Sequence, residues 1–105
     1  MAHWHDVNVN LAPGEHTVLT LGDFSILLVN ADGHFYAVEN ICPHDGGELD
    51  GGAIEDTTVT CPRHGACFSL KNGAVLKPPA FEDIGSFAVR SHDGRLQVYD
   101  EPKKP

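Results

Sequence analysis

CPHDGG, residues 42–47, and CPRHGACF, residues 61–68, are the two stretches on which the reading of this chain turns. Each sets one cysteine and one histidine on a loop rich in proline and glycine. The pattern is C-x-H, sixteen intervening residues, then C-x-x-H. Thiolate and imidazole are soft or borderline donors, suited to zinc, iron or copper rather than magnesium or calcium. Cys42, His44, Cys61 and His64 therefore read as one metal site assembled from two loops. Glycine lets the backbone approach closely and adopt positive φ. Backbone N–H groups can then point at sulfur and lower the energy of its negative charge.

Two metal chemistries match this donor set. A zinc site with two Cys and two His has the right ligand count and would make the chain a non-redox interaction module. Zinc knuckles, however, usually pair Cys with Cys and His with His, whereas each loop here supplies one of each. That mixed arrangement suits a two-iron cluster in which one iron takes two Cys and the other two His. A domain that keeps the loops but binds nothing is disfavoured, because all four ligands are present.

Length and charge narrow the classes. A chain of 105 residues fits one domain and can bury roughly 65% of its unfolded surface, enough for a core without disulfides. The formal net charge is −8, which argues against nucleic acid and against an anionic membrane surface. It suits docking on a basic patch of another protein, or plain solubility. The start MAHWHDVNVN lacks a basic region followed by an apolar run, so a cytoplasmic chain is expected. Three cysteines in a reducing compartment are more readily ligands or free thiols than staples. The longest apolar run, Ile26–Val29, is too short to span a bilayer.

The chain reads as all-β, an antiparallel sandwich or small barrel, because no window shows a helical period. Strands are expected at 17–21, 24–30, 35–38, 57–60, 68–70, 74–76, 86–91 and 95–99. Ala31-Asp32-Gly33, Lys71-Asn72-Gly73 and His92-Asp93-Gly94 are turn signals. The first Cys/His loop covers 42–52, the second 61–67, and the two together form a cluster-binding subdomain. Lys77-Pro78-Pro79-Ala80 cannot continue a ladder, since proline has no N–H to donate. The tail EPKKP is expected to fray. Neither a repeat nor a domain boundary is evident, so residues 1–105 are read as one domain.

C-x-H followed by C-x-x-H, with Gly65 after the second histidine and Pro78-Pro79 beyond it, resembles the Rieske iron–sulfur proteins. CPRHGACF through KPPAFE is similar to the small ferredoxins of bacterial ring-hydroxylating oxygenase systems. The resemblance implies a Rieske fold over the whole chain and one [2Fe-2S] cluster held by Cys42, His44, Cys61 and His64. It implies a proline loop, 77–80, covering that cluster. It also implies an electron carrier rather than an enzyme, a monomer that takes electrons from a flavin-dependent ferredoxin reductase and passes them to a terminal oxygenase. A small subunit of an assimilatory nitrite reductase shares the fold and is the redox alternative.

High-potential members of the family carry a disulfide between the two loops. Here the matching positions are Gly47 and Arg63. They also have hydroxyls that donate to cluster and ligand sulfur, where this chain has Ala66 and Phe68. Such hydrogen bonds stabilise the more negative, reduced cluster. Their loss predicts a midpoint near the low end of the Rieske range, about −150 mV. Asp45, Glu48 and Asp50 push weakly the same way. Cys67 is read as a free thiol, partly exposed, and His3, His5, His16, His34 and His92 as solvated surface residues.

Overall fold

Ile26, Leu27, Leu28 and Val29 are all fully buried, so the strand that carries them has no face toward water. The computed structural model describes residues 2–105. Its strands are β1 (Trp4–Val7), β2 (His16–Leu21), β3 (Phe24–Ala31), β4 (His34–Glu39), β5 (Ile54–Glu55), β6 (Thr58–Thr60), β7 (Cys67–Ser69), β8 (Val75–Lys77), β9 (Ser86–Phe87), β10 (Val89–His92) and β11 (Arg95–Tyr99). They form three antiparallel sheets, ordered β2-β3-β4-β9, β1-β11-β10 and β5-β6-β7-β8. No helix among the described residues is long and apolar enough to cross a membrane.

The sheet containing β3 is the middle layer. Successive side chains of a strand point to opposite faces. Ile26 and Leu28 accordingly join Ala37, Phe87 and Val98 in one core. Leu27 and Val29 join Val38, Val59, Phe68, Leu70 and the two loop cysteines, Cys42 and Cys61, in the other. An uninterrupted apolar run is what a strand covered on both faces requires. The second core therefore seats the Cys/His loops directly on the central sheet.

The third sheet frames those loops. β6 and β7 pair from Thr58↔Ser69 to Thr60↔Cys67, so residues 61–66 are the loop of a hairpin. The first loop leaves β4 and reaches β5 with no paired strand on its far side. Asp32-Gly33 and Asp93-Gly94 turn at positive φ in both residues, the geometry that closes two-residue hairpins.

Three expectations need correction. The run 86–91 is not one strand: β9 pairs with β4, whereas β10 pairs with β11. The chain passes between sheets at Ala88, a corner of the kind that joins packed sheets. The tail does not fray throughout, because Lys103 and Ser86 exchange two backbone hydrogen bonds of 2.8 and 2.9 Å. His5 is only partly solvated: its ring lies 2.7 Å from an Asp100 oxygen. His16 is exposed but lies 3.2 Å from Asp50.

Two outcomes follow from this layering. Leu27→Ala and Leu28→Ala are each expected to destabilise by about 2–5 kcal/mol in denaturant titrations, but only L27A, on the loop-facing side, should also loosen the loops. In the outer sheet, the Asp6 carboxyl is held below its ordinary range by hydrogen bonds from Gln97 and Arg95, and that of Asp100 by His5 and the His3 N–H. A carboxylate whose pKa is lowered by folding adds stability above its unfolded value of about 3.9 and loses it as pH falls through the folded value. The melting temperature should therefore drop between about pH 5 and about pH 3, and the D6N/D100N double variant should show a shallower drop.

Candidate metal centre

The two loops are one backbone turn used twice. In the first, the Cys42 N–H donates to the Gly47 carbonyl at 2.7 Å and the Gly46 N–H to the Cys42 carbonyl at 2.7 Å. In the second, the Cys61 N–H donates to the Ala66 carbonyl at 2.7 Å and the Gly65 N–H to the Cys61 carbonyl at 3.1 Å. Gly46 and Gly65, each four residues after its cysteine, have φ of +75° and +80°, a region that favours glycine. The shared signal is Cys-Pro-x-x-Gly, present in both CPHDGG and CPRHGA. It is a five-residue repeat, too short to register as a structural period.

This turn folds the backbone around each sulfur. Burial raises the Cys42 thiol above its ordinary value, against the opposing pull of the His44 and Asp45 N–H groups. At Cys61 burial acts in the same sense. There the N–H groups of Arg63 and His64, the Cys42 thiol and the Arg63 guanidinium outweigh it, and the pKa falls. Each sulfur thus has two backbone donors directed at it, the arrangement that stabilises thiolate. Cys42 and Cys61 are 0% and 1% exposed, and neither is in a disulfide.

The histidines occupy the rim. The His44 and His64 rings lie 5.0 Å apart, nearly perpendicular at 85°, and both residues are exposed. The four expected site residues are therefore grouped as two buried thiols beneath two exposed imidazoles. The ligand atoms of Cys42, Cys61 and Asp45 lie within 4.8 Å of one another, which makes the carboxylate a rival donor. Asp45 is already engaged, however. Arg63 donates to it through Nε (2.5 Å) and Nη2 (3.1 Å), and the Gly47 N–H donates at 2.9 Å. With three cysteines in the chain, four thiolates are not available. The donors that remain fit a mixed sulfur and nitrogen site, and a [2Fe-2S] cluster accepts that set.

Arg63 also ties the loops together. Besides Asp45 it holds the Glu48 carbonyl through Nη1 at 2.9 Å. A Cβ on Gly47 would lie 2.5 Å from the Arg63 Cζ. Gly47 and Arg63, the positions compared with a disulfide, are thus in contact, and an ion pair spans the gap. The same pair offsets the Asp45 charge, so this carboxylate depresses a redox potential less than the sequence suggests.

The remaining neighbours are apolar. Ala66 and Phe68 are fully buried and offer no hydroxyl to sulfur. Cys67 is half-buried, with its sulfur 3.4 Å from Thr60 Oγ1 and 3.5 Å from the Gly65 carbonyl. Pro43, His44, Pro79, Phe81 and Glu82 line a depression of about 310 Å³, which sets the proline segment beside the first loop. Phe81, Leu76 and Ile41 are 86%, 56% and 40% exposed. Of these, Phe81 lines the depression beside His44, and nothing in the sequence separates an exposed phenylalanine from a core one.

Arg63→Ala should release bound iron to a chelator a few-fold faster than wild type. Arg63→Lys should fall between the two, because an ammonium cannot make the forked contact.

Comparison with known proteins agrees with this geometry. Residues 3–99 match the family model for the Rieske [2Fe-2S] domain. The chain is 34% identical over 94 residues to the ferredoxin component of the alkene monooxygenase system of Xanthobacter autotrophicus, covering 89% of this chain and 76% of the relative. It is 33% identical over 89 residues to human Apoptosis-inducing factor 3, covering 85% of this chain but only 15% of that protein's length. A chain from the complex of reduced oxygenase and oxidized ferredoxin in carbazole 1,9a-dioxygenase superposes with a TM-score of 0.88 at 26% identity, covering 97% of each. A protein from Mycobacterium tuberculosis described as an NADH-dependent nitrite reductase small subunit gives 0.82 at 25% identity, covering 96% of this chain and 97% of the other.

Proposed function

The chain belongs to the Rieske [2Fe-2S] domain family, and on that premise we propose that it carries single electrons from a flavin-dependent reductase to a terminal oxygenase. Cys42 and Cys61 would hold one iron and His44 and His64 the other. Bound there, the cluster supplies one reversible one-electron step.

The observation that carries this reading is the layering of the donors, with buried thiols below and exposed imidazoles above. Backbone N–H groups directed at the sulfurs offset the charge that reduction adds. Two rigid turns hold those groups in place, so little has to move when the charge changes. The imidazoles at the rim bring a partner within short reach of the cofactor. Exposed Phe81, which lines the depression beside His44, gives that partner an apolar contact, and the net charge of −8 favours one with a basic rim. The relatives named as ferredoxin components support the role of carrier rather than enzyme. A cytoplasmic monomer that docks and leaves suits this role.

The resemblance to the nitrite reductase small subunit supports a second reading with the same cofactor and ligands and a different electron acceptor. Both readings expect a low potential, since Ala66 and Phe68 give the sulfurs no hydroxyl donor. Voltammetry should find a midpoint near the low end of the Rieske range, about −150 mV, with one electron taken up per chain. A midpoint well above zero contradicts the assignment as a low-potential carrier. Turnover of an oxygenase, or of a nitrite reductase large subunit, with this chain as the added component separates the two acceptors.

A further inference from the structure

Asn30 and Asn40 are the buried polar side chains among the described residues, each 4% exposed. They differ in what they hold. Asn30 donates to the Leu11 carbonyl at 2.8 Å and accepts from the Gly33 N–H at 2.8 Å, which closes the far end of the β3–β4 hairpin. Asn40 lies two residues before Cys42. Its Oδ1 accepts from the N–H groups of Leu49 (3.0 Å) and Asp50 (2.9 Å). Its Nδ2 donates to Ser25 Oγ (3.3 Å) and Glu48 Oε1 (3.4 Å), and its own N–H to the Ser25 carbonyl at 2.9 Å.

The two loops differ in how their ends are held. The second is closed by strand pairing, because Thr60 and Cys67 face each other in the β6–β7 ladder on either side of it. The first has no such ladder, since β4 ends at Glu39 and the next strand starts at Ile54. The Asn40 side chain stands where the ladder is missing and binds two successive amides on the far side of the loop. Those amides belong to Leu49, which is fully buried against Cys42 and Cys61, and to its neighbour. Residues 40 and 49–50 thus close an outer ring around the inner one made by the Cys42 N–H and the Gly47 carbonyl.

We infer that Asn40 is the positioning residue of the first loop, a single side chain that replaces strand pairing and fixes where Cys42 and His44 stand. The inference rests on the reading of those two residues as ligands. It assigns to Asn40 an effect on the centre that a merely stabilising buried amide, such as Asn30, does not have.

The test uses the cluster-loaded protein with Asn40→Ala, Asn40→Asp and, as a matched control, Asn30→Ala. Three quantities are read: amide hydrogen exchange at Leu49 and Asp50, the rate of iron release to a chelator, and the shape of the reduced-state electron paramagnetic resonance signal. N40A should speed exchange at both amides, release iron about tenfold faster or more, and broaden the signal. N40D keeps an oxygen acceptor for both amides but sets a carboxylate against Glu48, where Asn40 Nδ2 now donates, and should release iron more slowly than N40A. N30A, compared at the same margin below its melting temperature, should match wild type in release rate and signal. Should N40A not fold, Asn40→Ser, too short to reach both amides, takes its place with the same expected result. Equal iron release from N40A and N30A overturns the inference. If Cys42→Ser keeps the native cluster, the ligand reading fails instead, while exchange at Leu49 and Asp50 still reports on Asn40.

Discussion

Two thiols side by side in an apolar core are unfavourable neighbours once either loses its proton. Burial penalises each thiolate and the charges repel. The chain meets this constraint with backbone N–H groups at both sulfurs, joined at Cys61 by the Arg63 guanidinium. Two N–H groups are directed at each sulfur, and a turn that bends the chain so tightly around its own cysteine needs a residue at positive φ. Gly46 and Gly65 supply it. The remaining scaffold keeps those turns rigid. The β6–β7 ladder closes one, buried Asn40 closes the other, and the ion pair of Arg63 with Asp45 joins them across the gap beside Gly47. Below them, Leu27, Val29 and Val38 form the floor on which the cysteines rest.

The same arrangement explains the division of labour between core and surface. Sulfur is kept from water, so the backbone dipoles around it act in a medium of low dielectric, where they are strongest. The imidazoles remain exposed. Beside His44 lies the depression lined by Pro43, Pro79, Phe81 and Glu82, with Phe81 exposed at its edge.

Much of this was legible in the sequence. The ligand pattern, the all-β class and the hairpin turns follow from local chemistry, because C-x-H, Asp-Gly and alternating apolar runs carry their meaning within a few residues. ILLV in β3 marked a buried strand, although which core each residue enters depends on sheets formed elsewhere. Long-range pairings were not legible. The break at Ala88 has no proline or glycine to mark it; it appears only when β4 and β11 compete for the two halves of that run. The pinning of Lys103 to Ser86 joins a polar tail to a short edge strand, and neither partner signals the other. Arg63 was noted for what it lacks, a thiol, and its bridge to Asp45 emerges only when the loops are brought together. Asn40 reads in sequence as an ordinary turn residue after a strand, and only its burial reveals four side-chain hydrogen bonds.

The central claim is that two thiols and two imidazoles, one of each from either turn, share a single two-iron cluster. The measurement that tests it most directly is the electron paramagnetic resonance spectrum of dithionite-reduced protein labelled with ¹⁵N in its histidine rings. The account predicts a rhombic signal with an average g below the free-electron value, as mixed Cys and His ligation gives, split by two distinct imidazole nitrogens that vanish singly in His44 and His64 variants. A silent, colourless sample containing stoichiometric zinc, or a cluster signal without nitrogen coupling, would contradict it.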